Sequence, residues 1–215
     1  MVFRAKATMT PRTNIGRLAT TTLLGVAALS LALAAPAAAQ FSETYNFIKA
    51  VKDKDPAKAT SILDAPGNTI INTRDGDTGD AAIHIVVRRS DMAWLGFLLQ
   101  HGADPNIRDR AGNTPLLLAT VSSFTEAVHV LLLVRARVDM KNNIGETPLI
   151  KAVQLRNVAV AKQLLEAGAD PDLADSAAGY SARDYAQQDS RGGPLAKLLK
   201  ETPRHKPAAV QGPQP

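Results

Sequence analysis

There is no cysteine among the 215 residues. Disulfides, thiolate metal sites and a lipid-anchoring lipobox cysteine are thereby excluded. Aromatic residues are scarce, at 4%, which disfavours a β-sandwich and favours close packing of helices through Ala, Leu and Val. No apolar run reaches the roughly 20 residues that a membrane-spanning helix needs. The longest, LLGVAALSLALAA at 23–35, has 13. G-x-S-x-G, a P-loop, a dinucleotide glycine fingerprint and H-E-x-x-H are all missing.

Basic charge is not spread evenly. The pI near 9.6 suggests a phosphate-binding chain until the charge is located. Residues 1–39 carry Arg4, Lys6, Arg12 and Arg17 and no acid. Residues 40–190 hold 16 basic against 19 acidic side chains, and the excess returns only from Arg191 onward. A nucleic-acid-binding body is basic on at least one face. This body is slightly acidic, so nucleic acid is not an expected partner.

The first 39 residues fit the pattern of a cleavable signal peptide. A basic segment runs through Arg17, the short apolar core comes next, and Ala37-Ala38-Ala39 after Pro36 fits an A-x-A cleavage site before Gln40. Cleavage between Ala39 and Gln40 leaves nothing to hold the chain stably in a membrane. No Arg-Arg pair precedes the core, which points to a general secretion route rather than a twin-arginine one. The expected location is periplasmic, with secretion from the cell as the alternative.

Beyond the leader the chain repeats itself. Segments beginning at Gly79, Gly112 and Gly145 read GDAAIHIV, GNTPLLLA and GETPLIKA, at spacings of 33 and 33. Downstream, FLLQHGADPN (97–106), VLLLVRARVD (130–139) and QLLEAGADPD (163–172) recur at the same period. A weaker copy, GYSARDYA, begins at Gly179. Thr114-Pro115 and Thr147-Pro148 are N-cap hydroxyls followed by Pro at the first helical position. Each copy continues with a short helix and then a second, longer apolar helix. Gly102 and Gly168 stand where that helix ends on a left-handed residue, and Pro105 and Pro171 stop any continuation. The polar stretch up to the next Gly reads as an exposed hairpin loop.

These residues resemble the ankyrin repeat family, whose G-x-T-P-L-H-x-A and L-L-x-x-G-A-D-x-N patterns return three times over about 79–172. Tetratricopeptide repeats have a similar period but lack the Gly-Ala-Asp turn. The resemblance implies an all-α solenoid of stacked helix pairs with β-hairpin loops. The expected organisation is a signal peptide (1–39), an N-terminal half-repeat (41–75), full repeats at about 76–108, 109–141 and 142–174, a capping repeat (175–200) and a disordered Pro-rich tail (201–215). Three departures from the family pattern stand out. Its histidine, which ties neighbouring repeats, survives only as His84, with Leu117 and Ile150 elsewhere. Arg135 occupies a turn-glycine place, at a cost of about 1 kcal/mol if it is left-handed. Ala81-Ala82 lacks the Thr cap, leaving Asp80 as the substitute.

Residues 75–80, DGDTGD, look superficially like a calcium loop, but the fifth, sixth and twelfth positions are Gly79, Asp80 and Val86 rather than an oxygen ligand, Gly and Glu. The loop is therefore expected to be an acidic hairpin tip. His84, His101, His129 and His205 form no close ligand pair. Trp94 falls on a core position of a second helix. Asp and Glu recur with the repeat period, as solvated loop positions do, not as a paired acid–base device. The expectation is a non-catalytic, monomeric chain without cofactor or metal, binding a protein partner. In the family, that binding falls to the concave face of hairpin tips and first helices. Residues there that differ between copies are the candidate contacts: Asp77, Arg88 and Arg89; then Arg110, Asn113 and Val121; then Asn143, Ile144, Glu146, Gln154 and Leu155. The tips are expected to vary freely without disturbing the stack. An exported protein-binding scaffold is the leading reading, a secreted effector the second, and an enzyme with a groove site the third.

Overall fold

Helices begin where the caps in the sequence place them. Thr114 and Thr147 accept the backbone N–H groups of Leu117 and Ile150, with Pro115 and Pro148 next in line. In the computed structural model, which describes residues 43–67, 69–189 and 193–203, ten helices succeed one another. They are α1 (43–53), α2 (Pro56–Leu63), α3 (Ala82–Arg88), α4 (Met92–Gln100), α5 (Pro115–Val121), α6 (Thr125–Leu133), α7 (Pro148–Gln154), α8 (Val158–Glu166), α9 (Ala182–Gln188) and α10 (Gly193–Glu201). A 3-10 turn, Ile70–Asn72, precedes α3. The N-terminal segment expected to be a half-repeat thus holds a complete helix pair, α1 and α2. The proposed leader with its Ala39/Gln40 junction, His205 and the end of the Pro-rich tail lie outside the described residues.

Helices pair antiparallel within a repeat, and like helices stack between repeats. First helices line up as α3, α5, α7 and α9, and second helices as α4, α6, α8 and α10. The burial pattern shows why. Second helices bury residues at i, i+1 and i+4, as in Trp94, Leu95 and Leu98, or Val160, Ala161 and Leu164. First helices, flanked on both sides, bury nearly every position: Leu116 through Thr120 in α5. Ala119 and Ala152 are fully buried where first helices meet, and their small size permits close approach.

Besides the hairpin glycines Gly79, Gly112, Gly145 and Gly179, with φ of 71–81°, two left-handed turns mark the helix ends of each repeat. One ends the second helix at Gly102, Arg135 and Gly168, with φ of 83°, 62° and 88°. Arg135 therefore does adopt the conformation that glycine adopts at less cost. Arg135→Gly should raise stability by about 1 kcal/mol, read as a higher denaturant midpoint with unchanged slope. The other turn, which no glycine marks in the sequence, joins first to second helix at Lys54, Ser90, Ser123 and Arg156, all with φ of 53–59°. Each is followed by the N-cap of the second helix. Asp55, Asp91 and Asn157 accept the N–H three residues on, whereas Phe124 has no acceptor to offer. The cap of α3 is Ala81, not Asp80. Asp80 instead lies 3.4 Å from Arg88.

Candidate protein-binding face

Hairpin loops between repeats are closed by hydrogen bonds rather than by strands. Among the described residues only two isolated antiparallel bridges form, Arg74 with Ala81 and Ala174 with Ser181. At the base of each loop sits Asp75, Asp109, Asn142 or Asp175. The three aspartates are buried, which corrects their reading as solvated positions. Asp75 accepts the N–H groups of Asp77 and Thr78, and Asp175 those of Ala177, Ala178 and Gly179. Each carboxylate also takes a donor from a first helix. Lys52 of α1 binds Asp75, Arg88 of α3 binds Asp109 at 2.7 Å, and the Tyr185 hydroxyl binds Asp175 at 2.5 Å. Where the acceptor is the neutral Asn142, the residue in register with Lys52 and Arg88 is Val121. Cation and carboxylate are lost together, so no charge is left unpaired.

These bonds shift the groups. The Lys52 ammonium and the Thr78 and Asp77 N–H groups hold the Asp75 carboxyl down to about 2, against the opposing effect of burial. Burial raises Asp175, but the Tyr185 hydroxyl and the loop N–H groups outweigh it, so its pKa is lowered while that of Tyr185 is raised. His84 is fully buried in α3. Its Nδ1 accepts from the Ala81 N–H at 3.0 Å, and its Nε2 donates to the Ile107 carbonyl in the following loop, also at 3.0 Å. Those partners select the neutral tautomer, since a proton on Nδ1 would face another N–H. Burial lowers its pKa, only partly offset by the Ile107 bond.

A depressed histidine contributes stability above its unfolded value and loses it as the medium becomes more acid. Thermal midpoints should therefore begin to fall below about pH 6.5. A second fall should come between about pH 4 and pH 2, as Asp75 and Asp175 are protonated. His84→Leu should flatten the first step and leave the second. A midpoint independent of pH from 7 to 5 in the native chain would disprove the role of His84.

Loop tips are strapped to one another. Arg110 donates to the carbonyls of Asp77 and Gly76 at 2.5 and 2.7 Å. Asn143 donates from its side chain to the Arg110 carbonyl and from its backbone to Ala111, and Ser176 N–H donates to the Ile144 carbonyl. Arg108 reaches Asn143 Oδ1 and the Lys141 carbonyl. Among the described residues no three His, Asp or Glu side chains are placed to share a metal ion.

Two helix stacks, a 33-residue period and linked loops define an architecture that known proteins share. A family model described as ankyrin repeats, in three copies, matches residues 47–142 and 83–175. The chain belongs to the ankyrin repeat family. Neurogenic locus notch homolog protein 1 of Xenopus laevis is 29% identical over 153 residues, 70% of this chain and 6% of that protein. Neurogenic locus notch homolog protein 4 of Homo sapiens is 37% identical over 94 residues, 43% of this chain and 5% of its own length. Oxysterol-binding protein homolog 1 of Saccharomyces cerevisiae is 40% identical over 75 residues, 34% of this chain and 6% of that protein. The chain thus spans only about a twentieth of the length of these relatives. Ankyrin repeats are protein–protein interaction scaffolds, and no membrane-crossing helix occurs among the described residues.

The ankyrin stack sorts the candidate contacts into two groups. Arg88, Arg89, Arg110, Asn113, Asn143 and Glu146 are spent on the fold. Arg89 is half-buried, donates to the Val51 carbonyl at 2.5 Å and lies over the Trp94 ring. Asn113 binds Asp109, and Glu146 binds Asn142 and Lys151. Asp77 lends its carbonyl to Arg110 but keeps its side chain in solvent. The expectation that tips vary freely is therefore corrected: each tip rests on its predecessor. Val121, Ile144, Gln154 and Leu155 remain exposed, and three of these are apolar. Two neighbours of this face carried no sequence signal. Tyr180 is exposed at the last loop and edge-on to Tyr185 at 5.6 Å, and Lys151 bonds Gln154 at 3.0 Å. The repeat register did carry a signal for Tyr185, since it falls where Leu118 and Lys151 stand in earlier copies. On the second helices His129 is exposed, and His101 bonds the Phe97 carbonyl and stacks on its ring.

Proposed function

We propose that this protein is a binding scaffold of the cell envelope that engages another exported protein through its first-helix and hairpin face. The observation that carries the reading is the set of exposed apolar side chains on that face, Val121, Ile144, Leu155 and Tyr180, spread over successive repeats. Apolar and aromatic anchors supply most of the energy of an ordinary interface, and the roughly 800 Å² needed on each side requires several adjacent repeats. Export is supported by the arrangement of residues 1–39, and exported material should begin at Gln40. N-terminal sequencing that returns Met1 would count against that half of the proposal.

The face is tested by site-specific photo-crosslinking in cells. A crosslinking residue at 121, 144 or 155 should trap one defined partner, and one at 126, 129 or 162 should not. Changing Val121, Ile144 and Leu155 together to Ser should then weaken that partner's binding by about tenfold or more, with the melting point nearly intact. Adducts formed only from the second-helix positions would place the interface on the opposite side. Secretion into the medium with no envelope pool would favour the effector reading.

A further inference from the structure

The loops after the second helices form an edge of the stack, and one of them departs from its neighbours. In the flanking repeats this loop reads QHGAD (100–104) and EAGAD (166–170); between them it reads LVRAR (133–137). The three loops lie side by side. The Arg137 N–H bonds Asn106 Oδ1 at 2.7 Å, and the Asp170 N–H bonds Asp139 Oδ1 at 3.1 Å. At two places the middle loop forgoes a local stabiliser. Arg135 takes a φ of 62° where Gly102 and Gly168 stand. Arg137 replaces Asp104 and Asp170, whose carboxylates accept the N–H two residues on, at 2.8 and 2.9 Å. An arginine cannot accept that bond.

What the loop gains instead is exposed surface. Leu133 is 68% and Val134 42% exposed, and the Arg135 and Arg137 side chains are exposed beside them. Neither guanidinium has a carboxylate within ion-pair distance among the described residues. Two branched aliphatic side chains and two cations without an ion pair among the described residues are thus presented together, at a backbone cost the same loop of the neighbouring repeats does not bear. A left-handed residue alone does not set this loop apart, since Lys54, Ser90, Ser123 and Arg156 share that conformation; its coincidence with a forgone bond and with exposed apolar and cationic side chains does. A cation at a helix C-terminus is favourable by itself, but that does not account for Arg137, which lies past the helix, nor for the exposed Leu133 and Val134.

We propose that this edge is a second docking surface, separate from the first-helix face, that takes a short peptide segment carrying a carboxylate next to a bulky apolar residue. Guanidinium groups favour carboxylates through paired hydrogen bonds, and Leu133 and Val134 supply the apolar contact. Asp104 and Asp170 on the two flanks repel a long acidic stretch, which limits the matching charge to one or two residues.

The test is selection of a displayed library of short random peptides on the purified full chain and on Arg135→Gly/Arg137→Asp. The variant restores the neighbours' residues, so its thermal midpoint should equal or exceed the native one. Enrichment of acidic–apolar peptides on the native chain, reduced at least tenfold on the variant, is the expected result. Arg135→Gln/Arg137→Gln should show the same loss without new negative charge. Enrichment unchanged in both variants would overturn the proposal, as would failure of any acidic–apolar peptide to enrich. Arginine-dependent binding to phosphatidylglycerol vesicles without peptide enrichment would also overturn it, pointing to a lipid surface. Because neither variant touches Val121, Ile144 or Leu155, failure here leaves the first-helix face standing.

Discussion

Replacing Arg183 by Ala should detach the last helix and lower stability by about 3 kcal/mol. Arg183 stands in α9 where the earlier first helices carry the buried apolar Ile83, Leu116 and Leu149. Its side chain is only 9% exposed and bonds Asp172 Oδ1 at 2.7 Å. Its guanidinium donates to the carbonyl of Leu199 and to those of Thr202 and Pro203, at 2.9 and 3.2 Å. Leu199 lies in the last turn of α10, whose carbonyls have no helical partner of their own, and Thr202 and Pro203 follow the helix. One fork-shaped side chain ties all three. Loss of that group should release α10 and expose Leu195 and Leu199, which are buried against the rest of the stack. Hydrogen exchange should speed up over 193–203 before the denaturant midpoint moves elsewhere, because a repeat stack loses its ends first. Arg183→Lys should rescue little, since an ammonium lacks the planar fork. Unchanged protection over 193–203 in the alanine variant would disprove the clamp.

Gly145→Ala should cost about 2–4 kcal/mol, more than the same change at Gly102. Both glycines are left-handed, with φ of 81° and 83°. Their surroundings differ. A Cβ at Gly102 meets open space, so only the conformational penalty of about 1–2 kcal/mol applies. A Cβ at Gly145 falls far inside van der Waals distance of the Ser176 backbone nitrogen and hydroxyl. That nitrogen belongs to the bond from Ser176 to the Ile144 carbonyl, at 3.0 Å, which joins two hairpins. Accommodation would require moving backbone, not a flexible side chain. Gly112 is intermediate, because its close neighbours are atoms of the Asn143 and Arg108 side chains. Denaturant midpoints of the three alanine variants should fall in the order Gly145, Gly112, Gly102, with Gly145 lowest. Equal midpoints for Gly145→Ala and Gly102→Ala would mean that the tips do not approach so closely in solution.

Both predictions concern contacts between separate helices or loops, which are the least legible in a sequence. Helix starts were legible at Thr114 and Thr147 because an N-cap acts over three residues, and the left-handed Arg135 was legible because two copies carry Gly at its place. The caps Asp55, Asp91 and Asn157 obey the same chemistry, yet were hidden because the residues before them, Lys54, Ser90 and Arg156, are not glycine. Asp109 resembled any loop aspartate; Arg88, which covers it, lies 21 residues away. Of the candidate contacts, the apolar ones have exposed, unbonded side chains, while most of the polar ones, exposed or not, are tied to other residues of the fold. A leucine or valine left outside the core has no bond to make there, while an arginine or asparagine beside a loop carbonyl will take it.

The sequence by itself determined the period, the order of the repeated helices, the threonine caps and the family, because each depends on residues a few positions apart and repeats from copy to copy. It also determined that the body is slightly acidic and lacks thiol chemistry. Only the tertiary structure decided which polar side chains are free. Arg110, Asn143 and Arg183 reach partners 11 to 34 residues away, in a neighbouring loop or helix. Nothing local in the chain distinguishes such an arginine from a solvated one. Stacking brings the donor within about 3 Å of a loop carbonyl, and that distance separates a fastener from a contact surface.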